Sequence, residues 1–195
     1  MKKLVFSFIV LSLLFNCKTE KSEIETIENS VEEVVDSVTN EADQTLVKAI
    51  DFNLPSINGQ HKSLADYKGK LIYMDIWATW CGPCRMQFPV MKELHEKYAG
   101  EDIVILSVSI DPDEHRSKWE TMVKEQGLKG EQLFAGQASG FPENYKVDFI
   151  PRFVLISPQG DLLMENAPMP LDFNTGGINP ELTKIFDLYL QANKS

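Results

Sequence analysis

Asp75-Ile76-Trp77-Ala78-Thr79-Trp80-Cys81-Gly82-Pro83-Cys84 is the stretch on which the fold turns. The run from Leu71 to Trp77 is apolar and aromatic and has strand length. Cys84 to Tyr98 then changes to helical periodicity, with Phe88, Met91, Leu94 and Tyr98 on one face and Gly100 just past the end. The two cysteines therefore lie where a strand gives way to a helix. Two cysteines spaced this way across a helix start can close a small disulfide. The first sulfur faces the helix's unpaired N–H groups and the positive end of its dipole, which favour a thiolate. Only a thiolate attacks a disulfide, so Cys81 is the expected nucleophile. Cys84, a turn further in, is the expected resolving thiol. Pro83 lacks an N–H, which costs nothing in a first helical turn, and Arg85 adds a nearby positive charge.

A Cys-x-x-Cys pair can also be half of a zinc site. The other half is missing from this sequence. There is no second such pair, and His61, His95 and His115 are not at finger-like spacing. With only one further cysteine, Cys17, the chain is no disulfide-stapled scaffold either. The formal net charge is −10 and no basic stretch could neutralise a run of phosphates, which argues against nucleic-acid binding.

Outward from the cysteines, the pattern continues as alternating elements. Upstream, Phe52 and Leu54 alternate with polar residues, and Asn58-Gly59 signals a turn. Ser63-Leu64-Ala65-Asp66 reads as a capped short helix closed by Gly69. Downstream, Ile103 to Ile110 reads as a buried strand and a polar helix is expected near Glu114–Gln126. Phe153–Ile156 and Leu162–Met164 flank Pro158-Gln159-Gly160 as a hairpin. Pro180 to Leu190 reads as a last helix with Asn179 as its N-cap. Together these predict an α/β sandwich with a mixed sheet.

The N-terminus has a different logic. Two lysines precede an apolar run from Leu4 to Phe15, so residues 1–16 read as a signal peptide. The run is shorter than the ~20 residues of a membrane-spanning helix. Cys17 follows Leu13-Leu14-Phe15-Asn16, which resembles the lipobox of bacterial lipoproteins, although Asn16 replaces the usual small residue. Acylation there would anchor the protein with about 0.8 kcal/mol per buried CH₂. Cleavage before Cys17 lowers the formal net charge from −10 to −12. Residues 17–45 then form an acidic tether. Ile24, Ile27, Val31, Val34 and Val38 place a narrow helical stripe along it. The stripe suits a transient helical stalk and is too short to argue a coiled coil.

The active-site stretch closely resembles that of the thioredoxin superfamily. Asp75 falls six residues before Cys81, Pro89 five residues after Cys84, and Ile150-Pro151 precedes the Phe153 strand, all in family positions. Asp51-Phe52-Asn53-Leu54-Pro55, Gly59, Tyr67-Lys68-Gly69-Lys70 and Arg85-Met86-Gln87-Phe88-Pro89 narrow the likeness to the membrane-anchored TlpA/ResA-like branch. This resemblance covers about residues 46–195. It implies a thioredoxin fold, with a mixed central sheet flanked by helices and a helix–strand insert, residues 112–140, after the second core strand.

The resemblance also implies roles. Asp75, among apolar neighbours, would be a buried carboxylate with a raised pKa, able to take the Cys84 proton. Trp80, Gly82, Pro83, Ile150 and a cis Pro151 would form the substrate-binding surface. Apart from the redox-active pair no cofactor or metal is implied. The partners would be protein disulfides and a transmembrane thiol donor, for a monomer that is lipid-anchored in the cell envelope and faces the periplasm. Gly-Pro between the cysteines resembles reducing members, near about −270 mV, and not oxidising ones near about −120 mV. Two departures stand out: Ser107 replaces a lysine near the buried carboxylate, and Gln87 replaces the glutamate that some ResA-like proteins carry close to the cysteines. Two other functions are weighed against exchange. A peroxiredoxin-like peroxidase would place Thr or Ser three residues before its reactive cysteine, where this chain has Ala78 before Cys81 and Cys81 before Cys84. A redox-silent binding protein on the same fold would not need both cysteines, Asp75 and Pro151.

Overall fold

The structure is a computed structural model that describes residues 47–192. The expected signal peptide, Cys17 and the expected stalk stripe lie outside the described residues. Short strands β1 (Leu54–Pro55) and β2 (His61–Lys62) pair antiparallel across the Asn58-Gly59 turn. A 3-10 helix follows at Leu64–Tyr67. Its start is capped as expected: the Ser63 N–H and hydroxyl both donate to Asp66 Oδ2, at 2.7 and 3.0 Å.

Strand β3 (Leu71–Trp77) is buried at all seven positions. Helix α1 (Gly82–Lys97) begins two residues earlier than periodicity suggests, because Cys81 itself caps it. Strand β4 (Ile103–Ser109) runs parallel to β3. A 3-10 turn at Asp113–His115, helix α2 (Arg116–Glu125) and strand β5 (Glu131–Phe134) make the helix–strand insert, with β5 parallel to β4. After a one-turn helix α3 (Phe141–Asn144), strands β6 (Arg152–Ile156) and β7 (Leu162–Met164) form the hairpin. Helix α4 (Pro180–Ala192) closes the chain, and Asn179 Oδ1 accepts from the Glu181 N–H at 3.0 Å. The sheet order is β5-β4-β3-β6-β7, with β6 antiparallel to β3. The mixed sheet and the insert after its second core strand agree with the fold expected from sequence.

Strand alternation sorts the core into layers. Ile72, Met74 and Ile76 face one side, with Phe52, Leu54, Tyr67, Phe141 and Tyr145 over them. Leu71 and Tyr73 face the other side, with Met91 and Leu94 of α1 and Leu182 and Phe186 of α4. At the top of that second face lies a third cluster: Trp77, both cysteines, Phe88 of α1, Trp119 and Val123 of α2, and Phe134 of β5. Trp77 and Phe88 meet edge to face at 5.2 Å, and Trp119 and Phe134 meet at the same distance. The insert therefore supplies the floor beneath the cysteines.

The stretch after β7 shows no periodicity in sequence, and the structure ties it down at three points. The Ala167 N–H donates to Phe153 O at 2.8 Å, Tyr73 Oη donates to Pro168 O at 2.7 Å, and the Leu171 N–H donates to Gln87 Oε1 at 3.1 Å.

Trp119 is fully buried in the floor. Trp119→Ala should cost about 3–5 kcal/mol, as large core truncations do. Urea unfolding of the oxidised protein measures this. A loss below ~1 kcal/mol would mean the insert is docked too loosely to serve as a floor.

Candidate active site

Three pieces of backbone converge on the cysteines. The first is the turn leaving β3, where the Cys81 N–H donates to Ala78 O at 3.0 Å. The second is the open end of α1. Cys81 is its N-cap with extended backbone (φ −79°, ψ 102°), and Cys81 Sγ accepts from the Cys84 N–H at 3.1 Å. Pro83 sits in the first turn and no acidic residue is there to oppose a thiolate. The third is the Ile150-Pro151 peptide, which is cis. Ile150 packs against the cluster that holds the cysteines.

Cys81 and Cys84 are joined in a disulfide with Cα atoms 5.3 Å apart. Both are buried in this oxidised form, Cys81 at 4% exposure and Cys84 at 2%. Cys81, the expected nucleophile, is thus only marginally the more open of the two. Gly82 is half-buried and Pro83 exposed above them. Trp80, Met86 and Phe149 are apolar yet more than half exposed. They flank the reactive turn, the start of α1 and the Ile150-Pro151 peptide respectively. Met86 also borders a cleft of about 390 Å³ between α1 and α2, with Gly82, Arg85, Met122 and Gln126.

Asp75 is 4% exposed. By strand alternation its side chain faces α1, between Tyr73 and Trp77. Burial pushes its carboxyl up to about 7, partly offset by a hydrogen bond from Ser107, its partner across the β3–β4 ladder. The sequence places Ser107 at the lysine position of thioredoxins, and here it is the serine hydroxyl that meets the carboxylate.

A second buried carboxylate was not picked out from sequence. Asp111 is fully buried just beyond β4. Its Oδ2 accepts from the Thr79 N–H at 2.9 Å and from Ser109 Oγ at 2.8 Å, and its Oδ1 from Thr79 Oγ1 at 2.7 Å. Thr79 lies inside the turn that delivers Cys81, so Asp111 clamps that turn to the end of the neighbouring strand. The only local signal was an Asp-Pro step at a strand end. Gln87, which from sequence stands out only as a departure from the family's glutamate, is 1% exposed, and its amide oxygen holds the loop after β7.

The described region resembles known redox proteins. A family model described as "AhpC/TSA family" matches residues 46–162. The thiol-disulfide oxidoreductase ResA of Bacillus thuringiensis subsp. konkukian is 30% identical over 118 residues, which are 60% of this chain and 66% of that protein. The chain thus spans just under two thirds of that relative. A solution structure of a proposed thiol-disulfide oxidoreductase from Bacteroides vulgatus is 42% identical, with a TM-score of 0.61, over 75% of this chain and 93% of that one. The crystal structure of the exposed lipoprotein thioredoxin of Streptococcus pneumoniae is 28% identical, with a TM-score of 0.52, over 74% of this chain and 98% of that one.

The raised Asp75 carboxyl has a consequence for stability. The native state keeps its proton up to about pH 7, whereas the unfolded chain sheds it near 3.8. Between these values ionisation favours unfolding, so stability falls as pH rises. The full span is worth on the order of 2–4 kcal/mol. Asp75→Asn should therefore be more stable than the parent at pH 8, and the difference should vanish below pH 4. Urea unfolding across that range tests it, and parallel stability curves would contradict a buried, perturbed Asp75.

Proposed function

The chain belongs to the AhpC/TSA family, and on that footing we propose that it is a thiol–disulfide oxidoreductase acting on protein disulfides. The observation that carries this reading is the pairing of Cys81 with Cys84 across the open N-terminus of α1, with Cys81 Sγ held by the Cys84 N–H. The names of ResA and of the Bacteroides vulgatus protein point the same way.

In the reducing direction the steps balance as follows. The Cys81 thiolate attacks one sulfur of a substrate disulfide. The substrate S–S bond breaks, a mixed disulfide forms and one substrate thiolate leaves. In reduced protein the helix N–H groups stabilise the attacking thiolate. Cys84 then loses its proton to the Asp75 carboxylate, directly or through one water, and attacks Cys81 Sγ. The second substrate thiolate leaves and is protonated. Two electrons have moved to the substrate, and the protein carries the Cys81–Cys84 disulfide seen here. A thiol donor must reduce it again, and for an envelope protein we assign that role to a transmembrane carrier. Trp80, Gly82, Pro83 and the Ile150-Pro151 backbone form the face that receives the substrate, in the manner of an added strand.

Peroxidase chemistry is the weaker reading despite the family's name. Ala78 stands three residues before Cys81, and a buried alanine offers a peroxide no hydroxyl. A redox-silent role uses neither a closed cysteine pair nor a buried carboxylate with a raised pKa.

Cys81→Ser should abolish reduction of insulin disulfides, whereas Cys84→Ser should accumulate mixed disulfides through Cys81. Hydrogen peroxide consumption should stay at background in the parent protein. Alkylation of the reduced chain with mass mapping assigns the thiols. Initial labelling of Cys84, or peroxide turnover faster than insulin reduction, would reverse the assignment.

The same reading puts the protein at the cell envelope, held by a lipid on Cys17 and facing the periplasm. It rests on the apolar run before Cys17 and on the description of the pneumococcal neighbour as an exposed lipoprotein. No helix among the described residues is long and apolar enough to cross a membrane. The mature chain should fractionate with membranes, lack residues 1–16 and carry acyl mass on Cys17. Wholly soluble protein with an unmodified Cys17 would rule the anchor out.

A further inference from the structure

Asp75 is sealed inside the sheet, so a proton it takes from Cys84 needs a way out. A small cavity leads from it. The inner wall is Asp75, Ser107 and Gln132, and the outer wall is Lys92, His95 and Lys129. It has about 10 Å³ of room for the centre of a water molecule, enough for one. The inner residues are buried, whereas His95 and Lys92 are half-buried and Lys129 is exposed. The cavity thus joins the core to the surface.

Two details suit it to carrying a proton. Gln132 is 3% exposed and its Nε2 donates to Lys129 O at 2.7 Å, but its Oε1 is buried with no hydrogen-bond partner. An orphaned acceptor beside a carboxylate and a hydroxyl provides the two to four partners a buried water requires. The second detail is the fit of His95. Its ring occupies the space a side chain on residue 130 would take, and Gly130, at φ +74°, has none. The imidazole is therefore wedged against backbone at the cavity mouth. Burial, and then the charge of Lys129, push its pKa down to about 4. The ring is neutral near pH 7, with one nitrogen donating and the other accepting.

We propose that this cavity is the exit path for the Asp75 proton, with Gln132 holding a water between Asp75 and His95 and His95 passing the proton to solvent. This rests on the reading of Asp75 as proton acceptor for Cys84. The transfer is balanced: the Asp75 carboxyl gives a proton to the water, the water gives one to the accepting nitrogen of His95, and the opposite nitrogen releases one outside. The charged or titratable groups around the path are Lys92 on α1, Lys129 before β5 and Tyr73 on β3. Gln132 and His95 act through Asp75 and touch no substrate, so they are positioning residues.

The test is stopped-flow reduction of insulin disulfides by the full chain and by its His95→Leu, His95→Gln, Gln132→Leu and Asp75→Asn variants, from pH 6 to 9, with and without added imidazole. The first attack by Cys81 should be unchanged in the His95 and Gln132 variants. Release of the mixed disulfide should slow by roughly tenfold at pH 6, less than the ~10²–10⁴-fold typical of losing a general base. The defect should fade at pH 9, where Cys84 ionises unaided, and imidazole should restore His95→Leu. If Asp75→Asn is slow but the His95 and Gln132 variants match the parent, the path is wrong and the role of Asp75 stands. A defect in His95→Leu that is the same at every pH and untouched by imidazole would mark His95 as packing alone and overturn the path. If Asp75→Asn itself matches the parent, the underlying reading falls and the path with it.

Discussion

The site depends on one contact, the Cys84 N–H donating to Cys81 Sγ, which caps the start of α1. A helix leaves its first N–H groups without partners, and here a sulfur fills the place usually taken by a Ser or Asp oxygen. The contact requires Cys81 to be delivered at a fixed height above the helix. β3 does that by being buried along its whole length and paired on both edges, so that Trp77 cannot slide. A slip of one residue would turn Tyr73, Asp75 and Trp77 to the opposite face and carry Asp75 away from α1.

Two buried carboxylates then serve the same turn in opposite ways. Asp111 receives three hydrogen bonds, two from Thr79 and one from Ser109. It is spent on anchoring, and the backbone before Cys81 is stiff as a result. Asp75 receives one, from Ser107, and is otherwise flanked by apolar side chains and the small cavity that Gln132 and His95 line. Its lone pairs are underused and its charged form is costly. A carboxylate in that condition is a poor anchor and a good temporary home for a proton. The number of donors offered to each group decides which one can take part in proton transfer.

Much of this was legible in the sequence, because the signals are local. The bounds of β3 follow from an unbroken apolar run, the 3-10 helix from Ser63 and Asp66, and the last helix from Asn179-Pro180. The burial of Asp75 followed from its neighbours. The clamp did not, since Asp111 and Thr79 are 32 positions apart and neither belongs to a periodic pattern. Gln87 and Leu171 are separated by 84 positions, in a stretch whose shape is set by hydrogen bonds to β3, β6 and α1. Polar contacts of that range have no signature in residue spacing. Apolar clusters of the same range do, because every member must lie on a buried face.

The insert shows why the distinction matters for function. From sequence it is a helix and a strand added to a known core, and its polar composition reads as surface. In the fold its few apolar residues, Trp119, Val123 and Phe134, form the floor under the cysteines. Its polar residues Lys129 and Gln132 wall the cavity beside Asp75. A core without the insert would leave Trp77 and Phe88 uncovered on one side and would open Asp75 to water. Hydration would bring the Asp75 carboxyl back toward its ordinary range, where it would hold a proton at pH 7 too weakly to pass it on in a controlled way. The dry floor and the narrow polar passage are therefore two aspects of one constraint: the site needs Asp75 kept from bulk water while a proton can still reach it.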